Sequence, residues 1–336
     1  MIRLAINGYG RIGRSVLRAL QESPLQSAME VVAINELADA GTVLHLTRYD
    51  STHGRFPGEL DGNEEQLLVA GRPIRLLRSA EIGSLPWRQL DVDLVLECTG
   101  AFTDRETAEQ HLSQGAGKVL FSQPAQADVD ATVVYGINQD QLSANHRVVS
   151  AGSCTTNGIV PVIRALADSV GIESGTITTI HSAMNDQPVL DAYHHTDLRK
   201  TRAASQSIIP VDTGLARGVE RVLPEMIGKF SAQALRVPTL NVSAMDLTVQ
   251  TQTDTDVSAV NRALHEAAQL RFDGVLGYTE EPLASCDFNH DLRSSIIDAS
   301  QTRVSGSRLV KVLTWFDNEW AYANRMLDVA HHWMSL

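Results

Sequence analysis

The first half of the chain alternates apolar runs with segments of helical spacing. IRLAING at 2–8 predicts a buried strand, RIGRSVLRALQE at 11–22 a helix, and MEVVAINE at 29–36 a second strand, which together form a βαβ unit. RETAEQHLSQG at 105–115 predicts another helix that ends near its glycine. Further strands are predicted at 92–100, 118–122, 131–138 and 147–152. The pattern predicts an α/β fold with a doubly wound parallel sheet of Rossmann type.

The pattern changes after residue 152, where a second domain is predicted to begin. A helix at about 155–169 is followed by long β-rich segments with few helices between them. These segments lie at 174–183, 234–253 and 308–318. Helical spacing returns at 257–269 and in the final segment. Long strands joined by few helices predict an α+β domain with a mostly antiparallel sheet.

Length and composition agree with two domains of a globular protein. The chain has 336 residues, of which 43% are hydrophobic and 20% are charged. It contains no apolar run of the roughly 18 residues needed to span a bilayer. The N-terminus passes directly into a glycine-rich turn, which leaves no room for a signal peptide. We therefore expect a cytoplasmic protein that does not bind membranes.

Charge and cysteine usage restrict the possible partners further. The net charge of −12 argues against a general nucleic-acid-binding protein, although a local basic cluster such as DLRKTR could bind a small anion. The three cysteines, Cys98, Cys154 and Cys286, are far apart and form no CxxC pair. Neither a disulfide framework nor a zinc site is therefore predicted, and no metal is expected.

A glycine motif follows the first predicted strand. Gly8, Gly10 and Gly13 form G-x-G-x-x-G, and the motif opens a helix within a βαβ unit, the context that dinucleotide binding requires. Glu36 ends the second strand, 23 positions beyond Gly13, where a carboxylate can bind ribose hydroxyls. Because an anionic group there repels a 2′-phosphate, the motif favours NAD over NADP. The alternative is a structural glycine turn with Glu36 at a solvated strand end.

Cys154 lies in SAGSCTTNG, at the predicted start of a helix. The unpaired N–H groups and positive dipole of a helix N-terminus favour a thiolate, and the same N–H groups can hold an oxyanion. Considered alone, the cysteine fits a buried structural thiol equally well. His181 ends the β-branched run TITTIH, where it could act as base and later as acid for Cys154. Without the cysteine, a histidine at this position would be read as structural.

Together these residues carry a family resemblance. INGYGRIGR, SCTTN, IHSAMNDQ, RAASQSIIPVDTG, LRVPT and WFDNEWAYANRMLD resemble, in order and along essentially the whole chain, the phosphorylating glyceraldehyde-3-phosphate dehydrogenases. Within that family VVAINELADA, YDSTHGRF and DFNHD are similar to the branch that oxidises D-erythrose 4-phosphate for pyridoxal phosphate synthesis. The resemblance implies an NAD-binding domain at 1–152, a catalytic domain at 153–317 and a C-terminal helix at 318–336 that returns to the first domain. It also implies a homotetramer.

The resemblance also implies roles for individual residues. Cys154 would attack the aldehyde, and His181 would activate the thiol; the thiohemiacetal would pass hydride to NAD and leave a thioester for water or phosphate to break. The implied cofactor contacts are those of the glycine motif, Arg11 and Ile12 to the pyrophosphate, Glu36 to the ribose, Arg78 and Ser122 to the adenine half, and Asn318 to the nicotinamide amide. The implied substrate and anion pockets consist of Ser153, Thr155, Lys200, Thr213, Gly214 and Arg236.

Three positions bear on the choice of substrate. Met184 stands where the glyceraldehyde-phosphate enzymes commonly have a phosphate-binding threonine, as in the erythrose branch. Lys200 replaces a common arginine, which keeps the charge but loses the bidentate geometry. Gly214 matches the glyceraldehyde-phosphate enzymes, whereas the erythrose branch often has lysine. Oxidation of D-erythrose 4-phosphate with hydrolysis is the first hypothesis; glyceraldehyde 3-phosphate oxidation with phosphorolysis and a non-catalytic dinucleotide-binding scaffold are the alternatives.

Overall fold

The computed structural model describes residues 1–194 and 196–336. They form two compact units, which we describe separately. The first unit contains Met1–Ser153 together with Ala323–Leu336, and the second contains Cys154–Tyr322. Among the described residues, no helix combines the length and the hydropathy that crossing a membrane would require.

The first unit is built on a nine-stranded sheet with the strand order β10-β11-β9-β8-β1-β2-β7-β6-β5. Its strands are β1 (Ile2–Asn7), β2 (Met29–Asn35), β5 (Leu60–Gly62), β6 (Gln66–Val69), β7 (Arg72–Leu77), β8 (Leu94–Glu97), β9 (Lys118–Phe121), β10 (Ala131–Thr132) and β11 (Val148–Ser150), beside a small hairpin of β3 (Tyr49–Asp50) and β4 (Gly54–Arg55). Its helices are α1 (Arg11–Glu22), α2 (Ala40–Arg48) and α3 (Arg105–Ser113). All neighbours from β10 to β7 pair in parallel, which confirms the predicted Rossmann-type sheet.

The strand order reverses at β1, which lies between β2 and β8. The chain fills one side of β1 first and then crosses to the other side, so the loops after β1 and β8 diverge at a topological switch point. Ligands of open α/β sheets bind at the carboxyl ends of the strands at such a point. The glycine motif directly follows β1, and the fold therefore places it where a dinucleotide is expected.

Two parts of the first unit differ from the sequence-based expectation. The predicted strand at 131–138 is reduced to β10, because Gly136 has a φ of +87° and the Asn138 side chain caps the turn by accepting a hydrogen bond from Val134 N at 2.8 Å. The buried valines in this run therefore line a turn. The antiparallel edge formed by β5, β6 and β7 was not predicted.

The second unit contains a seven-stranded mixed sheet with the strand order β13-β14-β12-β15-β18-β17-β16. Its strands are β12 (Ile172–His181), β13 (Ile209–Val211), β14 (Phe230–Arg236), β15 (Ser243–Thr251), β16 (Leu276–Thr279), β17 (Ser295–Ser305) and β18 (Leu309–Phe316). Its helices are α4 (Cys154–Ser169), α5 (Leu215–Val222), α6 (Val257–Glu266), which continues as a π-helix over Ala267–Arg271, and α7 (Trp320–Met334), whose residues from Ala323 onward belong to the first unit. Four of its six strand pairs are antiparallel, as predicted.

The pairing of strands in this sheet decides which side chains meet. The predicted strand at 234–253 is interrupted between β14 and β15, and Val242 in this connection has a φ of +63°. Strand β12 pairs with β14 in parallel, and their last residues, His181 and Arg236, are register partners. The two side chains therefore emerge together from the same end of the sheet.

Candidate active site

Each of the three glycines of the motif occupies its position for a different structural reason. Gly8 has a φ of +87°, and a Cβ on it would lie 2.5 Å from the backbone nitrogen of Thr99. A Cβ on Gly13 would lie 2.4 Å from the carbonyl oxygen of Gly8, so this glycine permits close packing of α1 on the turn. A Cβ on Gly10 would meet no atom of the described residues within 4 Å. Gly10 is therefore not required by the packing of the unit itself, which is expected where a pyrophosphate approaches the backbone.

Helix α1 begins at Arg11, so the first-turn N–H groups of Arg11 and Ile12 form the end of the helix that attracts phosphate. The Arg11 side chain is engaged elsewhere, because it forms an ion pair with Asp50. Burial opposes ionisation of Asp50, but Arg11 and the backbone N–H groups that follow hold the pKa of this carboxyl well below its usual range. Arg11 is therefore left with its backbone N–H for contact with a pyrophosphate.

The Glu36 carboxylate is fixed against the glycine turn. Its Oε2 accepts a hydrogen bond from Tyr9 N at 2.9 Å, and its Oε1 accepts one from Ala38 N at 3.3 Å. Each carboxylate oxygen can accept a second hydrogen bond, so the group remains able to bind ribose hydroxyls. The hydrogen bond from Tyr9 holds this carboxylate against the glycine turn, so the two features for which ribose and pyrophosphate contacts are predicted lie side by side.

The other two residues predicted for the adenine half lie at different strand ends. Arg78 follows β7, and its guanidinium donates to the Glu64 carboxylate at 3.1 Å. Ser122 follows β9; its backbone N–H donates to Glu97 O at 3.0 Å, and its hydroxyl bonds the Cys98 thiol. Burial raises the pKa of the Cys98 thiol. Cys98 is therefore a packed, protonated thiol in this unit.

A buried polar network lies beneath the glycine turn. The Glu97 carboxylate, which is fully buried, accepts hydrogen bonds from Asn7 Nδ2 at 2.6 Å and from both the backbone and the hydroxyl of Thr99. His111 Nε2 lies 3.2 Å from the same carboxylate, and Trp87 Nε1 donates to His111 Nδ1 at 2.9 Å. The Trp87 bond leaves the ring proton on Nε2, where it is donated to Glu97.

Because Asn7 ends β1 and Glu97 ends β8, their hydrogen bond joins the ends of these two strands directly before Gly8. Glu97 is absent from the residues predicted above. An acidic residue that ends an otherwise apolar run, as in DLVLE, is a signal that could have identified it.

In the second unit, Cys154 is the first residue of α4 and Thr155 the second. The thiol thus faces a helix N-terminus, as predicted. Burial nevertheless raises the pKa of the Cys154 thiol to about 11, although Arg236 and the Thr155 backbone N–H both act to lower it. This direction is opposite to the thiolate that the helix N-terminus alone predicts, because loss of hydration outweighs the dipole. At neutral pH Cys154 is a thiol.

His181 is the last residue of β12, and its Nε2 lies 3.7 Å from Cys154 Sγ. The ring is buried and packs edge-on against Phe316, with a centroid separation of 6.3 Å. Burial and the neighbouring Arg236 cation lower the pKa of His181 to about 4, against the opposing effects of Asp186 and Glu319. The pair at neutral pH is therefore a neutral thiol beside a neutral imidazole, which is the arrangement of a nucleophile and its general base.

The cationic side chain of Arg236 lies beside this pair, and Lys200 binds a carboxylate that acts on both Arg236 and His181. Arg236 Nη1 is 2.7 Å from His181 Nδ1. Lys200 Nζ donates to Asp186 at 2.7 Å, and this ion pair lowers the pKa of the Asp186 carboxyl against the effect of its burial. Asp186 is also close enough to Arg236 to raise the pKa of that guanidinium, while burial lowers it. Of the two predicted anion-binding cations, Lys200 thus has a carboxylate partner and Arg236 contacts the histidine.

The remaining residues that were predicted to bind substrate occupy loop and helix-start positions. Thr213 Oγ1 accepts a hydrogen bond from Leu215 N at 3.2 Å, so Thr213 helps to begin α5. Gly214 is exposed, and among the residues that the structure describes a Cβ on it would approach only Arg217, at 3.7 Å. Ser153 ends the first unit, directly before Cys154. Backbone conformation does not force a glycine at 214, since only a φ in the left-handed region would do so and that of Gly214 is −90°.

Asn318 is held by two serines. Its Oδ1 accepts hydrogen bonds from Ser182 Oγ at 3.0 Å and from Ser243 Oγ at 2.8 Å. These contacts fix the amide orientation and direct its Nδ2 donors elsewhere, which suits a carboxamide carbonyl such as that of nicotinamide. Ser182 and Ser243 were not predicted, because they meet only through the pairing of β12 with β15. The position of Ser182 directly after His181 is the one sequence signal that could have identified it.

Comparison with known families agrees with this geometry. Residues 2–105 match the family model of the glyceraldehyde 3-phosphate dehydrogenase NAD binding domain. Residues 153–318 match the model of the glyceraldehyde 3-phosphate dehydrogenase C-terminal domain. The two matches together cover well over half of the chain, and NAD is the cofactor of the first unit.

Proposed function

The chain belongs to the glyceraldehyde 3-phosphate dehydrogenase family of NAD-dependent oxidoreductases, and on this premise we propose that it oxidises D-erythrose 4-phosphate to 4-phosphoerythronate. The observation that carries an aldehyde dehydrogenase is the 3.7 Å approach of Cys154 Sγ to His181 Nε2 beside the Arg236 cation. A nucleophile at the start of α4 then lies beside a base at the end of β12 and an anion-binding group at the end of β14. The product would supply pyridoxal phosphate synthesis.

The chemistry follows from the protonation states of the pair. With the thiol pKa near 11 and the imidazole pKa near 4, sulfur must lose its proton as it attacks. His181 Nε2 takes that proton, Sγ bonds to the aldehyde carbon, and the carbonyl oxygen takes the proton back to give a thiohemiacetal. The first-turn N–H groups of α4 stabilise the developing oxyanion.

Oxidation converts the thiohemiacetal to a thioester on Cys154. NAD, when bound, supplies the acceptor for the hydride that leaves the carbon. His181 takes the hydroxyl proton in the same step, since its ring is neutral at working pH. His181 then passes this proton to solvent and, neutral again, takes a proton from the water that attacks the acyl carbon. The C–S bond breaks, the departing sulfur takes that proton from His181, and the acid and the thiol are released.

Support for the four-carbon substrate comes from Met184. The residue is 44% exposed, and it lies two positions before Asp186, which forms an ion pair with Lys200. A methionine cannot donate a hydrogen bond to phosphate as threonine does, so a phosphate must be held by Arg236 and the residues around it. We assign Ser153, Thr155, Lys200, Thr213, Gly214 and Arg236 to the substrate and anion pockets.

We assign the cofactor site to Gly8, Gly10, Arg11, Ile12, Gly13, Glu36, Arg78, Ser122 and Asn318. The proposed division of labour is a cofactor domain at 1–152, a catalytic domain at 153–317 and a C-terminal helix at 318–336 that works with the first. We also propose a cytoplasmic homotetramer. Sedimentation of the purified protein tests the assembly, and a species of one subunit's mass at micromolar concentration would contradict it.

The second candidate function is phosphorylating oxidation of glyceraldehyde 3-phosphate. Gly214 favours it, because the residue is the one that glyceraldehyde-phosphate enzymes carry and it leaves the pocket without the lysine often found in the erythrose branch. Lys200 does not distinguish the two functions, because it provides a point charge and no bidentate fork.

Measuring NADH formation with each aldehyde, with and without inorganic phosphate, distinguishes the two functions. The erythrose reading expects faster turnover of D-erythrose 4-phosphate and no requirement for phosphate. Faster, strictly phosphate-dependent turnover of the triose phosphate would establish the second function instead. Cys154→Ser should abolish both activities, with Cys286→Ser as the matched control at an exposed cysteine. NADH formation that is unchanged in Cys154→Ser would refute catalysis at this cysteine, and no activity in either protein would favour a scaffold.

A further inference from the structure

Arg236 is a cation with few partners. It is half-buried, and its hydrogen bond to His181 Nδ1, at 2.7 Å, is made to a neutral ring. Its Nε is buried and has no hydrogen-bond partner among the described residues. Asp186 is the carboxylate that interacts electrostatically with Arg236, and its own hydrogen bond at 2.7 Å comes from Lys200 Nζ. A guanidinium carries five N–H donors and remains charged at any physiological pH, so Arg236 has donor capacity and charge to offer an anion.

The contact between Arg236 and His181 conflicts with a second contact at the same nitrogen. His181 Nδ1 lies 2.7 Å from Arg236 Nη1 and 2.9 Å from the carbonyl oxygen of Ser182. The guanidinium can only donate and the carbonyl can only accept. Nδ1 without a hydrogen satisfies Arg236 and faces the carbonyl lone pairs, whereas Nδ1 with a hydrogen satisfies Ser182 and faces an N–H group. One tautomer cannot satisfy both neighbours.

The choice at Nδ1 decides what Nε2 can do. In a neutral imidazole one nitrogen carries the proton and the other accepts. While Arg236 donates to Nδ1, the proton is on Nε2, which can donate toward Cys154 Sγ but cannot take the thiol proton. If Nδ1 donates to Ser182 O, the Nε2 lone pair faces Cys154 Sγ across 3.7 Å and can act as base.

We propose that Arg236 holds His181 in the Nε2–H tautomer, and that a phosphate group bound by Arg236 releases Nδ1, so that the ring changes to the Nδ1–H tautomer and becomes the base for Cys154. Arg236 is then a positioning residue that acts through His181 as well as an anion-binding residue. Because a ligand shifts an equilibrium only through differential affinity, phosphate must bind better when Arg236 has left the ring. The proposal rests on the proposed function in taking the substrate phosphate or free phosphate as the anion.

The groups that face His181 are the Cys154 thiol, the Arg236 cation and the carboxylates of Asp186 and Glu319. Arg236 lowers the pKa of His181, so its neutralisation by phosphate should also raise that pKa. The ring remains neutral at pH 7.5 as long as its pKa stays below about 6.5, the ordinary value for histidine. The tautomer is therefore the quantity that changes at this pH.

Nitrogen-15 NMR of the [15N]histidine-labelled protein at pH 7.5 measures the tautomer directly, without NAD or aldehyde. The His181 signals are those absent from His181→Asn. We expect the pyridine-type signal at Nδ1 in the wild type, and its transfer to Nε2 on titration with inorganic phosphate or with glycerol 3-phosphate, a monoester without an aldehyde. A response to the monoester alone would assign the switch to the substrate phosphate, and a response to inorganic phosphate alone to free phosphate.

Variants separate Arg236 from the general charge of the pocket. Arg236→Gln should show the pyridine-type signal at Nε2 with or without phosphate, whereas Lys200→Gln, which removes a cation without touching the ring, should keep the wild-type tautomer. A wild type with the proton already on Nδ1, or one whose signals do not move at saturating phosphate and monoester, would overturn the proposal even if Arg236→Gln fails to fold. Loss of dehydrogenase activity with an intact tautomer switch would refute only the proposed function.

Discussion

Replacing Gly8 with alanine tests whether the turn after β1 is as restricted as its geometry indicates. Gly8 has a φ of +87°, and the added Cβ would lie 2.5, 2.6 and 2.8 Å from backbone atoms of Thr99 and Cys98. These atoms belong to the chain that leaves β8, and the Glu97 network holds them in place. Neither the turn nor its neighbour can give way without breaking backbone or carboxylate hydrogen bonds.

The expected cost has two parts. The left-handed conformation costs an alanine about 1–2 kcal/mol, and forcing atoms into a packed region costs about 1–3 kcal/mol. Restricting the unfolded chain returns about 0.4–1 kcal/mol. We expect a net loss of about 3 kcal/mol in the free energy of unfolding, the sum of these effects.

Gly71→Ala is the matched control. Gly71 has a φ of +75°, but a Cβ there would meet no atom within 4 Å in the part of the chain that the structure describes. The backbone part alone predicts a loss of about 1 kcal/mol. Urea unfolding of both variants measures the difference, which should be about 2 kcal/mol, and calorimetric titration should show weakened NAD binding only in Gly8→Ala. Equal unfolding free energies and equal NAD affinities in the two variants would refute this account of the turn.

Three further changes test other parts of the site. The Cβ of Gly10→Ala would meet no described atom within 4 Å, so the free energy of unfolding should stay within about 0.5 kcal/mol of the wild type. In the same titration NAD binding should weaken at least about tenfold, an effect of about 1.4 kcal/mol; unchanged affinity would place the pyrophosphate elsewhere. Glu97→Ala leaves the buried donors of Asn7, Thr99 and His111 without their acceptor. Urea unfolding should therefore show a loss of about 3 kcal/mol in the free energy of unfolding, and a loss below about 1 kcal/mol would show that the network is dispensable. His181 binds a proton near pH 6.5 in the unfolded chain and only near pH 4 in the folded protein, so the free energy of unfolding falls as the pH is lowered from about 6.5 to about 4. Across this window the wild type should lose about 3 kcal/mol more than His181→Asn, and identical acid profiles of the two proteins would contradict the lowered pKa.

The fold was largely predictable because the periodicity of the first half is strong. Helix α1 has the predicted bounds, Arg11–Glu22, since apolar spacing and the glycine turn both indicate its start. The short strands β5, β6 and β7 were missed because they are partly exposed and form an antiparallel edge whose pairing is not encoded in local spacing. Strand β10 was overestimated because buried valines occur in turns as well as in strands.

The residue types that meet in the candidate site were predictable, but their protonation states were less so. Cys154 and His181 are 27 residues apart, and only the fold shows that their reactive atoms lie 3.7 Å apart. The helix N-terminus predicts a thiolate, but burial dominates and gives a thiol, which no local sequence pattern indicates. The contact of Arg236 with His181 arises from the register of β12 with β14, a pairing between segments that are distant in sequence.

The most direct test of the central claim is the acyl group itself. Protein mixed with NAD and D-erythrose 4-phosphate, without inorganic phosphate, is quenched in acid within one turnover, digested and analysed by mass spectrometry. We predict a 4-phosphoerythronyl thioester on the peptide that contains Cys154, and none on those containing Cys98 or Cys286, with NADH formed in equal amount. NADH formation without acylation of Cys154, or with the acyl group on another residue, would contradict the account.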